Sequence, residues 1–236
     1  MIIIPARLGS TRFKDKILCD IFGLPMFVAT AKRVSVCDDV VVAVDDEKVL
    51  QIATSHGIKA VMTSQNHQSG TDRINEATKI LGLNENEIII NVQADEPFIE
   101  PLNITNFKEF CKNRQDEAFM FSCYKMADEN LVDDTNLVKV VTDCNDFALY
   151  FSRSRLPFNR AEFHDYKAHL GIYGYSVKSL NEFCMLPYST LENTEKLEQL
   201  RALENGKKIA MLKIKSDSIG IDSKADLDRA LARFRA

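Results

Sequence analysis

Arg7, Arg12, Lys14 and Lys16 crowd into one short stretch in which Asp15 is the single acid. Four cations against one acid give a local charge of +3, in a chain whose formal net charge is -4. Ser10 and Thr11 add hydroxyls, and Gly9 leaves backbone N–H groups open. Such a loop suits a triphosphate, because cations and backbone donors both neutralise phosphate oxygens. The Walker pattern G-x-x-x-x-G-K-[ST] is absent, since Gly9 is the only glycine of the loop. A solvated basic loop has the same composition, so phosphate binding and plain surface charge both stay open here.

A second group follows an apolar run, in Asn91-Val92-Gln93-Ala94-Asp95-Glu96-Pro97. A carboxylate at Asp95 suits Mg²⁺ against a nucleotide phosphate, because hard cations take oxygen ligands. Gln93 stands two residues earlier, on the same face if the strand continues, and its amide suits a base or a sugar hydroxyl. Asp95 equally suits a turn or helix cap, and Glu96 reads as a solvated surface acid. In His67-Gln68-Ser69-Gly70-Thr71-Asp72-Arg73, Ser69 and Gly70 open a helix whose first N–H groups suit an anion or a base edge. The alternative is a simple cap with Arg73 paired to Glu76. Arg153 and Arg155 end a strand two residues apart, and at most one of them is expected to be a ligand of the site. Either fork suits a carboxylate.

His169, Gly171, Tyr173 and Tyr175 alternate along another strand and read as one face, favourable to a sugar. A satisfied structural histidine is the competing account of His169. Glu198 and Arg201 fit an i,i+3 surface pair on an amphipathic helix that buries Leu197, Leu200 and Leu203. Asp222 precedes the last helix, where it and Ser223 are rival caps.

These groups need a frame. Ile2-Ile3-Ile4 is a short buried strand that Pro5 ends. Val40–Val44 is fully apolar, as buried parallel strands are, and Ala60–Met62 and Ile88–Val92 repeat the type. Helical spacing fills 25 onward, 46–56 and 69–81 between them. Strands alternating with helices predict βαβ units, with the basic loop and Asp95 together at the carboxyl edge of a parallel sheet. Residues 1–110 therefore read as a doubly wound, Rossmann-like half. After that, strands at 119–126, 138–142, 148–152 and 169–176 follow closely and predict antiparallel additions. A helix over about 195–205, a strand over 209–214 and a helix over 224–234 complete the chain. The fold class is α/β: a mostly parallel sheet flanked by helices, with a smaller antiparallel or mixed extension.

The 236 residues, 45% hydrophobic and 27% charged, suit one large α/β domain, or one domain carrying a sub-domain. The acidic balance argues against a nucleic-acid binder. Six scattered cysteines without C-x-x-C read as reduced thiols of a cytosolic protein. No apolar run reaches the ~20 residues of a membrane span, and opening directly on a core strand predicts no signal peptide.

As an ordered set, IPARLGSTR, HQSGTDRI, NVQADEP, YFSRSRLPF, HLGIYGY, EKLEQLRALENG and GIDSKADLDRA resemble the 3-deoxy-manno-octulosonate cytidylyltransferases (CMP-Kdo synthetases). The likeness runs from residue 2 to residue 232. That family activates the acid sugar Kdo with CTP and releases pyrophosphate, ahead of lipopolysaccharide assembly. The resemblance implies CTP contacts from Ala6, Arg7, Ser10, Arg12 and Lys16, with Ser69, Gly70, Arg73 and Gln93 around ribose and cytosine. It implies Asp95 and Asp222 as Mg²⁺ ligands, Arg12 and Lys16 on the leaving pyrophosphate, and Arg155, His169, Tyr173, Glu198 and Gln199 around Kdo. It further implies a cytoplasmic homodimer, with 1–110 as a nucleotide-binding half and 111–236 as a sugar-binding and dimerisation half of one domain. Two departures stand out. Phe13-Lys14-Asp15 replaces the family's usual Leu-Pro-Gly, and Ala94 replaces a usual glycine. The rival readings are a cytidylyltransferase for a sialic or pseudaminic type of acid sugar, and a non-catalytic nucleotide-binding regulator on the same fold.

Overall fold

The computed structural model describes residues 1–9, 13–161 and 164–235. The chain forms two compact units, one of residues 1–106 and 216–236, the other of residues 107–215.

In the first unit, β1 (Ile2–Ala6) pairs in parallel with β4 (Val40–Val44) and β6 (Ile88–Asn91), after a small hairpin of β2 (Asp20–Ile21) and β3 (Leu24–Pro25). β5 (Ala60–Met62) pairs with β4, giving the parallel order β6-β1-β4-β5. Between the strands run α1 (Met26–Val34), α2 (Glu47–Ser55) and α3 (Gly70–Ile80). The expected βαβ layout is present, because the strands are apolar apart from Asn91 and each helix offers them an apolar stripe. Asp46 and Ser69 cap α2 and α3 with their side chains. Gly70 matters for approach: a Cβ there would stand 3.2 Å from Cγ of Pro5, a tight contact that glycine avoids where α3 starts against the end of β1.

Several later elements lie outside the sequence expectation or depart from it. α4 (Pro101–Asn113) follows β6, and the second unit then begins its sheet with β7 (Met120–Met126). β8 (Lys139–Thr142), β9 (Ala148–Ser152) and β10 (Lys167–Ser176) are antiparallel to their neighbours. α5 (Val177–Met185) and α6 (Thr190–Glu195) come next, both started by a serine capping box. The helix expected over 195–205 is only α7 (Leu200–Glu204), because Lys196 adopts a left-handed conformation (φ 55°) that ends α6. Glu198 and Gln199 therefore lie in the turn before α7. β11 (Ile209–Lys213) pairs in parallel with β7. β10 is not a regular alternating strand: its register on β7 slips between Leu170 and Tyr173, a bulge that leaves Gly171 without a partner in that ladder.

Sequence order groups residues 216–236 with the second half, yet they pack into the first unit. Phe234 of α8 (Lys224–Phe234) stacks on Phe98 with centroids 4.3 Å apart, and Ile221, Leu227 and Ala230 join Ile21 and Met26 in one cluster. An apolar helix stripe goes where apolar surface awaits it, whatever the sequence distance.

Gly174 tests packing in the second unit. A Cβ there would meet Sγ of Cys111 at 2.5 Å and Cβ of Phe121 at 3.3 Å. Gly174→Ala is expected to cost ~1–3 kcal/mol in urea unfolding, as overpacking does. Adding Cys111→Ala should recover part of that loss, and two strictly additive losses would refute the clash.

Candidate active site

Three of the expected residues meet at the carboxyl edge of the first unit's sheet. Lys16 follows Asp15 in a single 3-10 turn. Its Nζ donates to Oδ2 of Asp95 at 2.5 Å and to Oδ1 of Asp222 at 3.1 Å. Burial pulls the Lys16 pKa down, but the two carboxylates outweigh it, and the value stands above the ordinary lysine range. Asp222 is no cap. Ser223 caps α8 by accepting from the Asp226 N–H, while the Asp222 side chain turns to Lys16. Nor is Glu96 a solvated acid: its Oε2 accepts from the Ser218 hydroxyl at 2.7 Å. With Glu100, which accepts from Ser216 and Asp217, it fastens the returning segment that brings Asp222 in. The N–H of Ile221 completes this by donating to the carbonyl of Asp95 at 3.0 Å.

Asp15 adopts φ 51° and ψ 31°, a left-handed conformation that glycine takes without strain and aspartate tolerates. That is how an aspartate serves where the resembling family usually carries glycine. Ser10 and Arg12 lie outside the described residues. Ala6 is buried at the end of β1 and Arg7 is exposed just after it. The Leu8 N–H donates to Oδ1 of Asp45 at 3.1 Å, which ties the basic loop to the end of β4.

Arg73 belongs to this edge but is already engaged. It is 1% exposed, and its fork donates to Asp45 (3.1 Å), the Thr63 hydroxyl (2.6 Å) and the Ser64 carbonyl (3.2 Å). Burial draws its pKa below the ordinary arginine value despite Asp45. The expected partner Glu76 instead accepts from the Ser64 N–H and contacts His67 at 2.5 Å. Arg73 thus holds the ends of β4 and β5 together from beneath the loop. Asp45, not named as a site residue from sequence, is the anchor of that arrangement; its place at the end of an apolar strand is the available signal. β6 ends at Asn91, so Gln93 is not on the strand's face, and its Nε2 donates back to Asn91.

The second unit assembles the sugar-type residues. The Tyr173 hydroxyl donates to Oε1 of Gln199 at 3.2 Å. Burial, aided by Glu198, pushes the Tyr173 pKa above the ordinary tyrosine range, so the proton stays on oxygen. Gln199 is 3% exposed, and its Nε2 has no hydrogen-bond partner among the described residues. A buried amide nitrogen left open is costly and marks a place for a ligand acceptor. His169 packs edge-on against Phe151 at 4.9 Å and lies 5.6 Å from the Tyr173 ring. Glu198 lies 3.6 Å from Arg201.

Arg201 is not the surface partner that spacing suggests. It is fully buried and grips Glu192 with two bonds of 2.8 and 2.6 Å. Phe183 and Tyr188 flank its guanidinium at 4.7 and 4.4 Å. Glu192 sits in the capping box of α6, so this pair locks α6 to α7 and fixes the turn that carries Gln199. Arg155 donates to the Tyr166 hydroxyl at 2.7 Å and lies 3.4 Å from Asp133. Arg153 donates to the carbonyls of Glu195 and Thr135. Both arginines are engaged within the second unit, so the structure does not single out one of them.

A family model for cytidylyltransferases matches residues 1–209. The chain belongs to the cytidylyltransferase family of nucleotidyltransferases. Within it, the chain is 52% identical to the 3-deoxy-manno-octulosonate cytidylyltransferase of a Nitratiruptor species, with 99% of each chain covered. It is 50% identical to the protein of that name from Wolinella succinogenes, again over 99% of each. A solved structure of CMP:2-keto-3-deoxy-manno-octonic acid synthetase complexed with CTP superposes with a TM-score of 0.92 at 35% identity, covering 98% of this chain and 96% of that one. A putative glucose-1-phosphate thymidylyltransferase from Bacillus anthracis, at 17% identity and a TM-score of 0.67, shares the fold.

The environment of His169 generates a pH dependence. Desolvation holds its pKa down at about 3, from an ordinary 6.5. The unfolded chain therefore binds one more proton than the folded chain between those values. Stability from this site is complete above pH 6.5 and is lost as pH falls toward 3. The slope contributed is ~1.4 kcal/mol per pH unit. Urea unfolding of His169→Gln should show a correspondingly flatter acid limb than wild type, and identical limbs would refute the assignment.

Proposed function

We propose that this protein transfers CMP from CTP to the acid sugar Kdo, giving CMP-Kdo and pyrophosphate. The observation that carries this reading is the meeting of Lys16, Asp95 and Asp222 at the carboxyl edge of a parallel sheet, in a chain of this family. The anomeric oxygen of the sugar bonds to the α-phosphorus while the bond to pyrophosphate breaks in line. The hydroxyl proton leaves to solvent. Such a transfer needs positioning and charge neutralisation more than covalent help.

A divalent cation fits the acid pair. Both carboxylates already converge on one positive charge, and carboxylate oxygens are what Mg²⁺ takes, one or two at a time, beside substrate phosphates. Asp95 and Asp222 would hold Mg²⁺, which supplies divalent charge to the reacting phosphate oxygens. Ala6, Arg7, Ser10, Arg12 and Lys16 bind the triphosphate, with Arg12 and Lys16 neutralising pyrophosphate as it leaves. Ser69, Gly70 and Gln93 line the nucleoside, and Arg73 supports them through Asp45. Tyr173, Gln199, His169, Glu198 and Arg155 receive the sugar, with the open Nε2 of Gln199 as a donor to it.

The reading places the protein in the cytoplasm and its product in lipopolysaccharide assembly. No described helix is long and apolar enough to cross a membrane. It also includes a homodimer through the second unit, supported by the exposed apolar side chains of Leu131, Leu149 and Phe158, the last 82% exposed.

The test sets CTP and Mg²⁺ against a panel of acid sugars and measures pyrophosphate. Kdo should far outperform N-acetylneuraminic acid, by ~10⁴ if buried donors are left unpaired by the wrong sugar. Asp95→Asn and Asp222→Asn should each abolish turnover while the circular dichroism spectrum is kept. A better nine-carbon substrate would transfer the reading to that sugar, and no turnover with any sugar would favour a regulator. Sedimentation at micromolar concentration should show dimers; monomers alone would remove the dimer.

A further inference from the structure

Ser122 of β7 has one hydrogen and three polar neighbours. Its Oγ lies 2.9 Å from Nε2 of His169, 2.9 Å from the carbonyl of Ile172 and 3.2 Å from that of Leu170. Both carbonyls flank the slip in β10 register, and both only accept. If the hydroxyl donated to His169, its oxygen would face two carbonyl oxygens with no hydrogen between them. If it donates to a carbonyl, its lone pairs face His169, and the ring must carry its proton on Nε2. The second arrangement leaves one such oxygen–oxygen contact where the first leaves two, and Ser122 is wholly buried, so water does not relieve the first.

We infer that Ser122 fixes His169 as the Nε2–H tautomer, leaving Nδ1 as a bare acceptor that takes a hydroxyl of the acid sugar and turns away its carboxylate. The sugar half of this inference rests on the function proposed above. Burial keeps the ring neutral at ordinary pH, which the tautomer requires. Ser122 is the only hydrogen-bond partner of the ring among the described residues, so Nδ1 is bonded to no other group of them. A neutral lone pair repels a carboxylate and accepts an O–H, so the two ring nitrogens have different tasks. Ser122 acts through His169 and is a positioning residue. Nothing in the sequence marks it, because its partners lie 47 to 50 residues away.

Long-range ¹H–¹⁵N correlation spectra of the labelled full chain read the tautomer directly, with His169 assigned by its absence in His169→Gln. At neutral pH the proton should be on Nε2, with Nδ1 unprotonated. A proton on Nδ1, or on both nitrogens, overturns the assignment. In Ser122→Ala the preference should collapse to a mixture, and KM for Kdo should rise about tenfold with KM for CTP unchanged, the effect of roughly one hydrogen bond. Should Ser122→Ala fail to fold, Ser122→Cys keeps the shape with a weak donor and should show the same direction. An unchanged tautomer or an unchanged KM for Kdo in the folded variant overturns the role of Ser122. A wild-type chain with the Nε2–H tautomer that releases no pyrophosphate with Kdo overturns the sugar half through the functional reading alone.

Discussion

The Lys16 ammonium makes the first unit's site possible. Asp95 and Asp222 lie far apart in sequence, and two carboxylates brought together repel unless a cation stands between them. Lys16 is that cation, 79 residues from one acid and 206 from the other. Its place depends on the turn after Asp15, and the place of Asp222 depends on the returning segment. That segment is held by side-chain bonds to Glu96 and Glu100, by the backbone bond from Ile221 to Asp95, and by Phe234 stacked on Phe98. Apolar burial and buried hydrogen bonds thus bring the acids in, and one ammonium keeps them compatible.

The second unit meets a related constraint with a closed ion pair. Arg201 and Glu192 are both buried, and removing either partner alone would strand a charge, at a cost of several kcal/mol. Two aromatic rings fill the faces of the guanidinium, which leaves its edge for the carboxylate. The rigidity this gives falls on a short turn that would otherwise have few restraints. Lys196 has just ended one helix and Leu200 begins another. Gln199, between them, takes the Tyr173 hydroxyl on its amide oxygen and has no partner for its amide nitrogen among the described residues.

Local pattern makes the frame legible. Val40–Val44, Ala60–Met62 and the last helix over 224–234 are readable to the residue, since apolar runs and serine caps are written within a few positions. α4 is legible too: Ile104, Phe107 and Cys111 stand at i, i+3 and i+7 and are buried, although its asparagines and threonine lower its helical propensity. The single helix over 195–205 fails because a left-handed lysine leaves no signal of the kind glycine leaves. Candidate site residues can be named from the sequence, but their partners cannot. Arg73 pairs with Asp45 and not with Glu76, and Arg201 with Glu192 before Glu198, because burial selects partners across the fold and helical spacing offers only near neighbours.

Lys16 and His169 show how such selection decides chemistry. Burial acts on both bases in the same direction, disfavouring the charged form. Lys16 has two carboxylates against it, and their attraction exceeds the desolvation, so the ammonium stays charged above its ordinary range. Among the described residues His169 hydrogen-bonds only the neutral hydroxyl of Ser122, and no charge offsets the desolvation, so the imidazole stays neutral. One physical cause therefore yields a fixed cation in one unit and a fixed neutral acceptor in the other. The choice is made by the residue placed 2.5 to 3.1 Å away, and in each case the fold, not the neighbouring sequence, supplies it.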